Sequence, residues 1–476
     1  MRVLFLQEKA IDESLALCDA ASWLASHGHD VHLLLDREER DLWGEATRWR
    51  PDVVLLPASV VNHTWTRQMS RAVREHLGVP TVATGTAPTL HPEGLRLSGL
   101  DYLVRGEAER PLAGLLSMLE EGRDPCDVPG VWAWEGDRLR GTDADAPLDT
   151  LPTPDRGLYF DRYPWFGRFP WKKFTGSRGC FHRCTYCYIP TLNTIPPKMP
   201  GIRRKAPEAL VEEVVREARR APLHHVHFSD DIFTDDAAWL EEFAVAYRRR
   251  VGVPFTGNTS AELVTDRVAA ALAEAGCHAM GFAVESGNEE MRLKVLKKGV
   301  PLTMLHRAAD ALRNHGVRIA TFNMIALPGE TPDMAFETAQ LNADLGTDFI
   351  RLNFAFPMPG SAMCDYALAN GYLDADWPDR FASDDFDYRP RPWFRGPHRE
   401  EFQRLFVLFR LAARVPSSLP WVRRMVRSGT PFRRLLGLQG LWVEKRQFRL
   451  PIVPSVGLLL RTGRPEYRAS NFPSLV

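Results

Sequence analysis

Cys180, Cys184 and Cys187 stand at CxxxCxxC spacing within GSRGCFHRCTYCYIP, residues 176–190, in a chain with only seven cysteines among 476 residues. Three thiolates this close, in a loop directly after a strand, can hold three irons of a [4Fe–4S] cluster and leave the fourth iron open. The competing chemistry is zinc, with His182 or a distant cysteine completing a tetrahedron. His182 lies between two of the cysteines, so the loop would have to fold sharply to aim it at the same metal. Cys18, Cys126, Cys277 and Cys364 are scattered and read as small buried hydrophobes.

Other polar residues collect where strands should end. Ser229, Asp230 and Asp231 fall in FSDDIF, where they could also cap a helix. Glu285 closes the apolar run GFAVESG, a place where a charge is hard to explain as core. ALPGET (326–331) reads as a strand-to-helix turn with Thr331 as N-cap. KKG (297–299) and FPMPGS (356–361) stand out as motifs without an evident chemistry.

The elements that must position these residues alternate. RVLFL, VHLLL, VVLLP, PTVAT and DYLVR read as strands within residues 1–125, with helical stretches between them. Near-continuous apolar strands mean a parallel sheet covered on both faces, here a five-stranded doubly wound (flavodoxin-like) α/β domain. Its ligand crevice would lie at the carboxyl ends of the strands, lined by the loops 7–13, 58–64 and 85–90. Residues 126–170 look like a linker with a small hairpin, VWAWEGDRLRG. Within 171–378, six strand–helix units fit a partial (β/α)6 TIM barrel better than a complete eight-unit one. Residues 379–476 turn basic, aromatic and mostly helical.

Lys plus Arg equals Asp plus Glu at 60 each, so no global field favours nucleic acid. From Arg391 onward, however, 17 Lys or Arg face four acids. MRVLFLQEKA turns acidic too early for a signal peptide, and no uncharged apolar run nears the roughly 18 residues that a membrane helix needs. The expected location is the cytoplasm. In the tail, FQRLFVLFRLAARV, LPWVRRMVRSGTPFRRLLGLQGLW and IVPSVGLLLR mix arginine with large apolar residues. Two readings stand: a cap packed on the barrel over the substrate opening, or peripheral contact with an anionic membrane.

The cysteine motif after the first barrel strand resembles the radical S-adenosylmethionine (SAM) superfamily, and the doubly wound domain ending in DYLVRGEAERPLAGLL resembles its cobalamin-binding subgroup. The resemblance covers about residues 1–375. It implies that Cys180, Cys184 and Cys187 bind the cluster and that SAM chelates the open iron. It further implies that Ser229, Asp230 and Asp231 lie at the SAM ammonium, Glu285 at the ribose hydroxyls and the backbone of Tyr186 at adenine. Ala326 replaces the first glycine of the family's GLPGET turn near SAM. No DxHxxG follows the first strand, where QEKAIDE stands, so a histidine lower ligand to cobalamin is not expected; Gly106 and Glu107 read as a helix start. The implied activity is methyl transfer from methylcobalamin to an unactivated carbon of a small-molecule or lipid-like biosynthetic intermediate, through a 5′-deoxyadenosyl radical. An electron donor such as flavodoxin or ferredoxin would supply the cluster. The alternative is ring contraction, cyclisation or another rearrangement without methyl transfer. No residue is singled out as the catalytic acid or base.

Overall fold

The structure, a computed structural model, describes residues 1–10, 12–96, 98–144, 153–195, 201–383, 386 and 390–428. β1 (Arg2–Gln7), β2 (Asp30–Leu35), β3 (Val53–Pro57), β4 (Thr81–Thr84) and β5 (Tyr102–Val104) pair in parallel in the order β2-β1-β3-β4-β5. Both faces of these strands are apolar and both are covered. Helices Leu15–Ser26 and Glu109–Glu120 pack on one face, and Leu42–Trp49 and His63–His76 on the other. The hairpin β6 (Val131–Glu135) and β7 (Arg138–Gly141) adds antiparallel to β5. It thereby covers a sheet edge that five strands alone would leave with unpaired backbone groups.

The second sheet begins at β8 (Trp171–Phe174), after which β9 (Ser177–Arg178) and β10 (Arg203–Arg204) form a short antiparallel pair. It continues through β11 (His225–Phe228), β12 (Phe255–Thr259), β13 (Cys277–Glu285), β14 (Arg318–Ile325) and β15 (Phe349–Phe354), all parallel and in chain order. Strand–helix–strand crossovers of this kind curl a sheet into a partial barrel, with its loops gathered at the carboxyl ends of the strands.

The tail joins this barrel. Ile350, Leu352 and Phe354 on the outer face of β15 are covered by Phe402, Leu405, Leu408 and Phe409 of helix Arg399–Arg414, which also packs on helix Pro332–Asp344. It fills the place of the sixth barrel helix. The apolar face of FQRLFVLFRLAARV is therefore core on the barrel flank, whereas the cap reading put it over the opening. Several arginines are used locally: Arg410 donates to the Ile350 carbonyl at 3.1 Å, Arg404 to that of Val426 at 2.6 Å, and Arg427 pairs with Asp333 at 3.0 Å. Residues 429–476, including IVPSVGLLLR, lie outside the described residues. Among the described residues no helix is long and apolar enough to cross a membrane.

One buried charge joins the two sheets. Arg156 is fully buried; its guanidinium meets Glu13 of the loop after β1 and lies 3.9 Å from both Glu213 and Glu217 of helix Pro207–Arg220. It also donates to the Lys173 carbonyl on β8. Beside it, Lys173 pairs with Asp12 and Tyr159 donates to Gln7 at 2.6 Å. QEKAIDE, the stretch that replaces a histidine motif, is thus spent on docking the first domain. Replacing Arg156 with Met should cost about 3–5 kcal/mol, because Glu13 then remains buried without its cation, while Glu213 and Glu217 keep only Lys205 and Arg216. Urea unfolding at neutral pH measures this; an unchanged midpoint would mean the network does not hold the domains together.

Candidate active site

The loop that carries the three cysteines crosses the mouth of the barrel beyond β8. It starts at Gly179, whose φ of +106° and close approach to the Gly201 carbonyl, 2.4 Å from where a Cβ would stand, admit only glycine. All three cysteines are free thiols, Cys184 buried and the other two half-buried. Each lies within electrostatic reach of another, and Cys187 feels both of the others. Burial pushes Cys180 up to about 11 and Cys187 up to about 12, so these sulfurs ionise readily only against a metal. Backbone N–H groups face them: His182 N–H offers a hydrogen bond to Cys180, and Ile189 N–H donates to Cys187 Sγ at 3.5 Å. Donors of this kind stabilise iron-bound thiolates.

His182 is engaged elsewhere. Its Nε2 sits 2.8 Å from Ser260 Oγ and 3.0 Å from Glu262. Among the described residues no three His, Cys, Asp or Glu side chains stand close enough to hold a single metal ion. A cluster asks for a different set, with thiolates spread around irons at separate corners, and three free cysteines on one loop are ligands of that kind.

Thr185, between Cys184 and Tyr186, anchors the loop. Its hydroxyl donates to the Val295 carbonyl at 2.6 Å, its N–H to that of Leu296 at 3.0 Å, and its own carbonyl accepts from Met363 N–H at 2.9 Å. Thus the segment leading into KKG and the helix that follows FPMPGS grip the same residue. Nothing in the local sequence marks Thr185; the two unexplained motifs were the available signal.

The remaining candidate residues gather at the neighbouring strand ends but divide by function. Asp230 is buried, and its carboxylate accepts from Gly176 N–H at 3.0 Å and Ser177 Oγ at 2.5 Å, which fixes the turn before the cysteines. Ser229 Oγ lies 2.9 Å from Thr175 Oγ1. Asp231 is the acid that acts on Cys180 and Cys187; burial and then the neighbouring Asp230 push its carboxyl up to about 7. Glu285, at φ +62°, accepts from Tyr186 OH at 3.0 Å, so the Tyr186 side chain is a hydrogen-bond partner as well as packing. Burial pushes Glu285 up to about 7, with Lys298 and Tyr186 opposing it. Ala326, which stands in place of a glycine, takes a left-handed φ of +58°. Strain of about 1–2 kcal/mol is expected for alanine there, and such outliers cluster at working sites. Glu330 accepts from Leu327 N–H at 3.1 Å, is pushed up to about 8 by burial, and closes the same turn.

The carboxyl edge of the first sheet is turned toward this mouth. Arg178, two residues before Cys180, pairs with Asp19 at 2.8 Å, Glu109 at 2.6 Å and Glu107 at 3.2 Å, and Arg203 also binds Glu107. The acids of RGEAER, which read as a helix start, therefore dock on the base of the cysteine loop. At the switch point between β1 and β3, where a doubly wound sheet opens its crevice, the Thr64 hydroxyl is buried without a partner. That orphan suits a ligand rich in amide groups, such as a corrinoid. His63 beside it is held between the carbonyls of Val60 at 3.0 Å and Phe381 at 2.6 Å. Phe381 belongs to an aromatic cover with Phe356, Trp377, Phe386 and Trp393 that spans from the barrel mouth to the first domain.

Comparison with known proteins bears on the two domains and the fold. Residues 174–341 match the radical SAM superfamily and residues 13–116 the B12 binding domain. An uncharacterized methyltransferase of Pyrococcus horikoshii is 25% identical over 360 residues, covering 72% of this chain and 76% of that protein. The hopanoid C-3 methylase of Methylococcus capsulatus is 26% identical over 330 residues, 66% of this chain and 61% of the methylase. The anaerobic magnesium-protoporphyrin IX monomethyl ester cyclase of Synechocystis is 25% identical over 331 residues, 64% of this chain and 62% of the cyclase. In fold, the chain resembles the radical SAM methyltransferase TsrM of Kitasatospora setae, with a TM-score of 0.64 at 18% identity, covering 78% of this chain and 76% of that one.

The Thr185 anchor makes a direct expectation. Thr185→Val keeps the shape but leaves the Val295 carbonyl without its donor, a local cost of about 1–3 kcal/mol. Amide exchange should quicken together in residues 180–190 and 291–298, with the first sheet unchanged. A rise confined to one of the two segments would mean they are not coupled.

Proposed function

This chain belongs to the cobalamin-binding branch of the radical SAM superfamily, and from that premise we propose that it is a methyltransferase acting on an unactivated carbon of a small-molecule or lipid-like intermediate. The observation that supports this most is the Arg178 clamp, which sets the carboxyl edge of the cobalamin-binding sheet against the base of the cysteine loop. When bound, the cluster and SAM supply a 5′-deoxyadenosyl radical and the corrinoid supplies a methyl carrier. The chain's own residues do the positioning. Cys180, Cys184 and Cys187 hold three irons. Asp231, a half-buried acid beside Asp230 at the end of β11, receives the ammonium end of SAM, with Ser229 and Asp230 shaping the turn beneath it. Glu285 takes the ribose hydroxyls while Tyr186 holds its carboxyl in place, and Ala326 brings backbone close to SAM. The cover formed by Phe356, Trp377, Phe381 and Trp393 excludes water and stray hydrogen donors from the mouth. A flavodoxin- or ferredoxin-type donor delivers the electron.

The names of relatives support a methyl transfer but span dissimilar substrates: a hopanoid in one and tryptophan in the TsrM structure. The match to a cyclase favours a second reading, ring formation or rearrangement with no methyl added. Methyl-labelled SAM separates the two. With cobalamin, reductant and a candidate substrate, methyl transfer should give a product one labelled methyl group heavier together with 5′-deoxyadenosine. A transformed product carrying no label, formed with 5′-deoxyadenosine, would overturn methyl transfer in favour of rearrangement.

A further inference from the structure

A closed barrel fills its interior with branched apolar side chains. The inner face of this sheet is different. On β15, Ile350, Leu352 and Phe354 face outward onto the helix Arg399–Arg414, so Phe349, Arg351 and Asn353 face the lumen. By the same alternation β14 presents Ala320, Phe322 and Met324 inward, and β13 presents Ala279, Gly281 and Ala283. Ala279, Ala320 and Phe349 are buried together and close the floor. Above them the wall is open: Ala283, Phe322, Met324 and Arg351 are half-buried and Asn353 is exposed. The small residues make room. At Gly281 a Cβ would stand 2.9 Å from the Phe322 ring, so that ring lies against bare backbone.

Arg351 is set in this wall. Its guanidinium lies over the Phe322 ring, 5.6 Å from the centroid, and Phe322 is its opposite number in the β14–β15 register. Across the lumen, on β11, His227 feels the charges of Arg351, Lys173 and His225. β8, β11, β12, β14 and β15 carry no acid, and β13 carries only Glu285, at its last position. Lys173 is answered from outside the barrel, by Asp12 of the loop after β1. A chamber that gathers positive charge while its own strands supply no carboxylate below the mouth suits an anion. The height of Arg351 also matters. Glu285 pairs with Asn323 and Asn323 with Leu352, the chain neighbour of Arg351. Two strand spacings, about 10 Å, therefore separate Arg351 from the acid proposed for the SAM ribose.

We propose that the lumen holds the anionic end of the substrate, a carboxylate or a phosphate, against Arg351, with Phe322 and Met324 lining the apolar body between that end and SAM. This rests on the methyltransferase reading for its claim that the ligand is the substrate. A guanidinium offers parallel N–H donors to either oxyanion, which fixes orientation as well as charge. No bond or proton moves at Arg351; it positions the substrate.

The experiment measures binding, by ligand-observed nuclear magnetic resonance, to the anaerobically reconstituted full chain with SAM bound and no reductant. The SAM site is then filled and no turnover occurs. The probes are hexanoate, hexyl phosphate and hexanol, which share an apolar body and differ at one end. The parent should bind at least one of the anions about tenfold more tightly than hexanol, and the tighter anion identifies the end group. Arg351→Met should lose that preference, while Arg351→Lys, which keeps the charge without the fork, should retain part of it. If Arg351→Met does not fold, Arg351→Gln carries the same comparison. Anions that bind the parent no better than hexanol, or bind the neutral variant as well as the parent, overturn the inference. The same samples given reductant report on the function separately. A parent that shows the anion preference but releases no 5′-deoxyadenosine contradicts the functional reading and not the lumen site.

Discussion

A guanidinium buried away from water must be surrounded by carboxylates, and this constraint governs how the two halves of the chain meet. Arg156 is enclosed by Glu13 from one domain and by Glu213 and Glu217 from the other. Arg178 repeats the pattern with Asp19, Glu107 and Glu109. Arg156, fully desolvated, is stable in one relative placement of the domains and costly in others, and the half-buried Arg178 reinforces that placement. Hydrophobic contact is tolerant of sliding; a buried ion pair is not. The pairing therefore fixes which face of the first sheet looks into the barrel, and with it the relation between the corrinoid crevice and the cysteine loop.

The same economy runs through the loop itself. Its cysteines meet only backbone N–H groups and the Tyr186 hydroxyl, while several residues between and around them are committed elsewhere. Thr185 is bound through its hydroxyl, N–H and carbonyl, Asp230 is spent on the turn, and His182 is drawn off toward Ser260 and Glu262. A loop tied down at Thr185 and Asp230 has little freedom to move. That is the preorganisation a site with one open iron requires, since water and stray donors must be kept from the same face.

What could be read from the chain alone was whatever is local. Strand and helix alternation follows from apolar runs and period, and the cysteine spacing is contained in eight residues. The pairings that orient the domains are not local: Glu13 and Arg156 are 143 residues apart, Asp19 and Arg178 159. Charges on helices have many exposed uses, so nothing in RGEAER or GSRGC named the other as its partner. QEKAIDE could be read for what it lacks, a histidine, but its docking role appears only when β8 is brought alongside. The tail shows the same limit. Its helical spacing announced a buried face, but which surface it buries depended on β15 being the last strand of an open barrel. Glu285 stood out because a charge ended an apolar strand.

The cysteine assignment underlies everything proposed for this chain, and reductive cleavage of SAM examines it most directly. Given SAM and a low-potential reductant, the anaerobically reconstituted protein should release 5′-deoxyadenosine. The protein with Cys180, Cys184 and Cys187 all replaced by Ala should release none. Undiminished release from the triple variant would contradict the cluster site and the reading of the molecule built upon it.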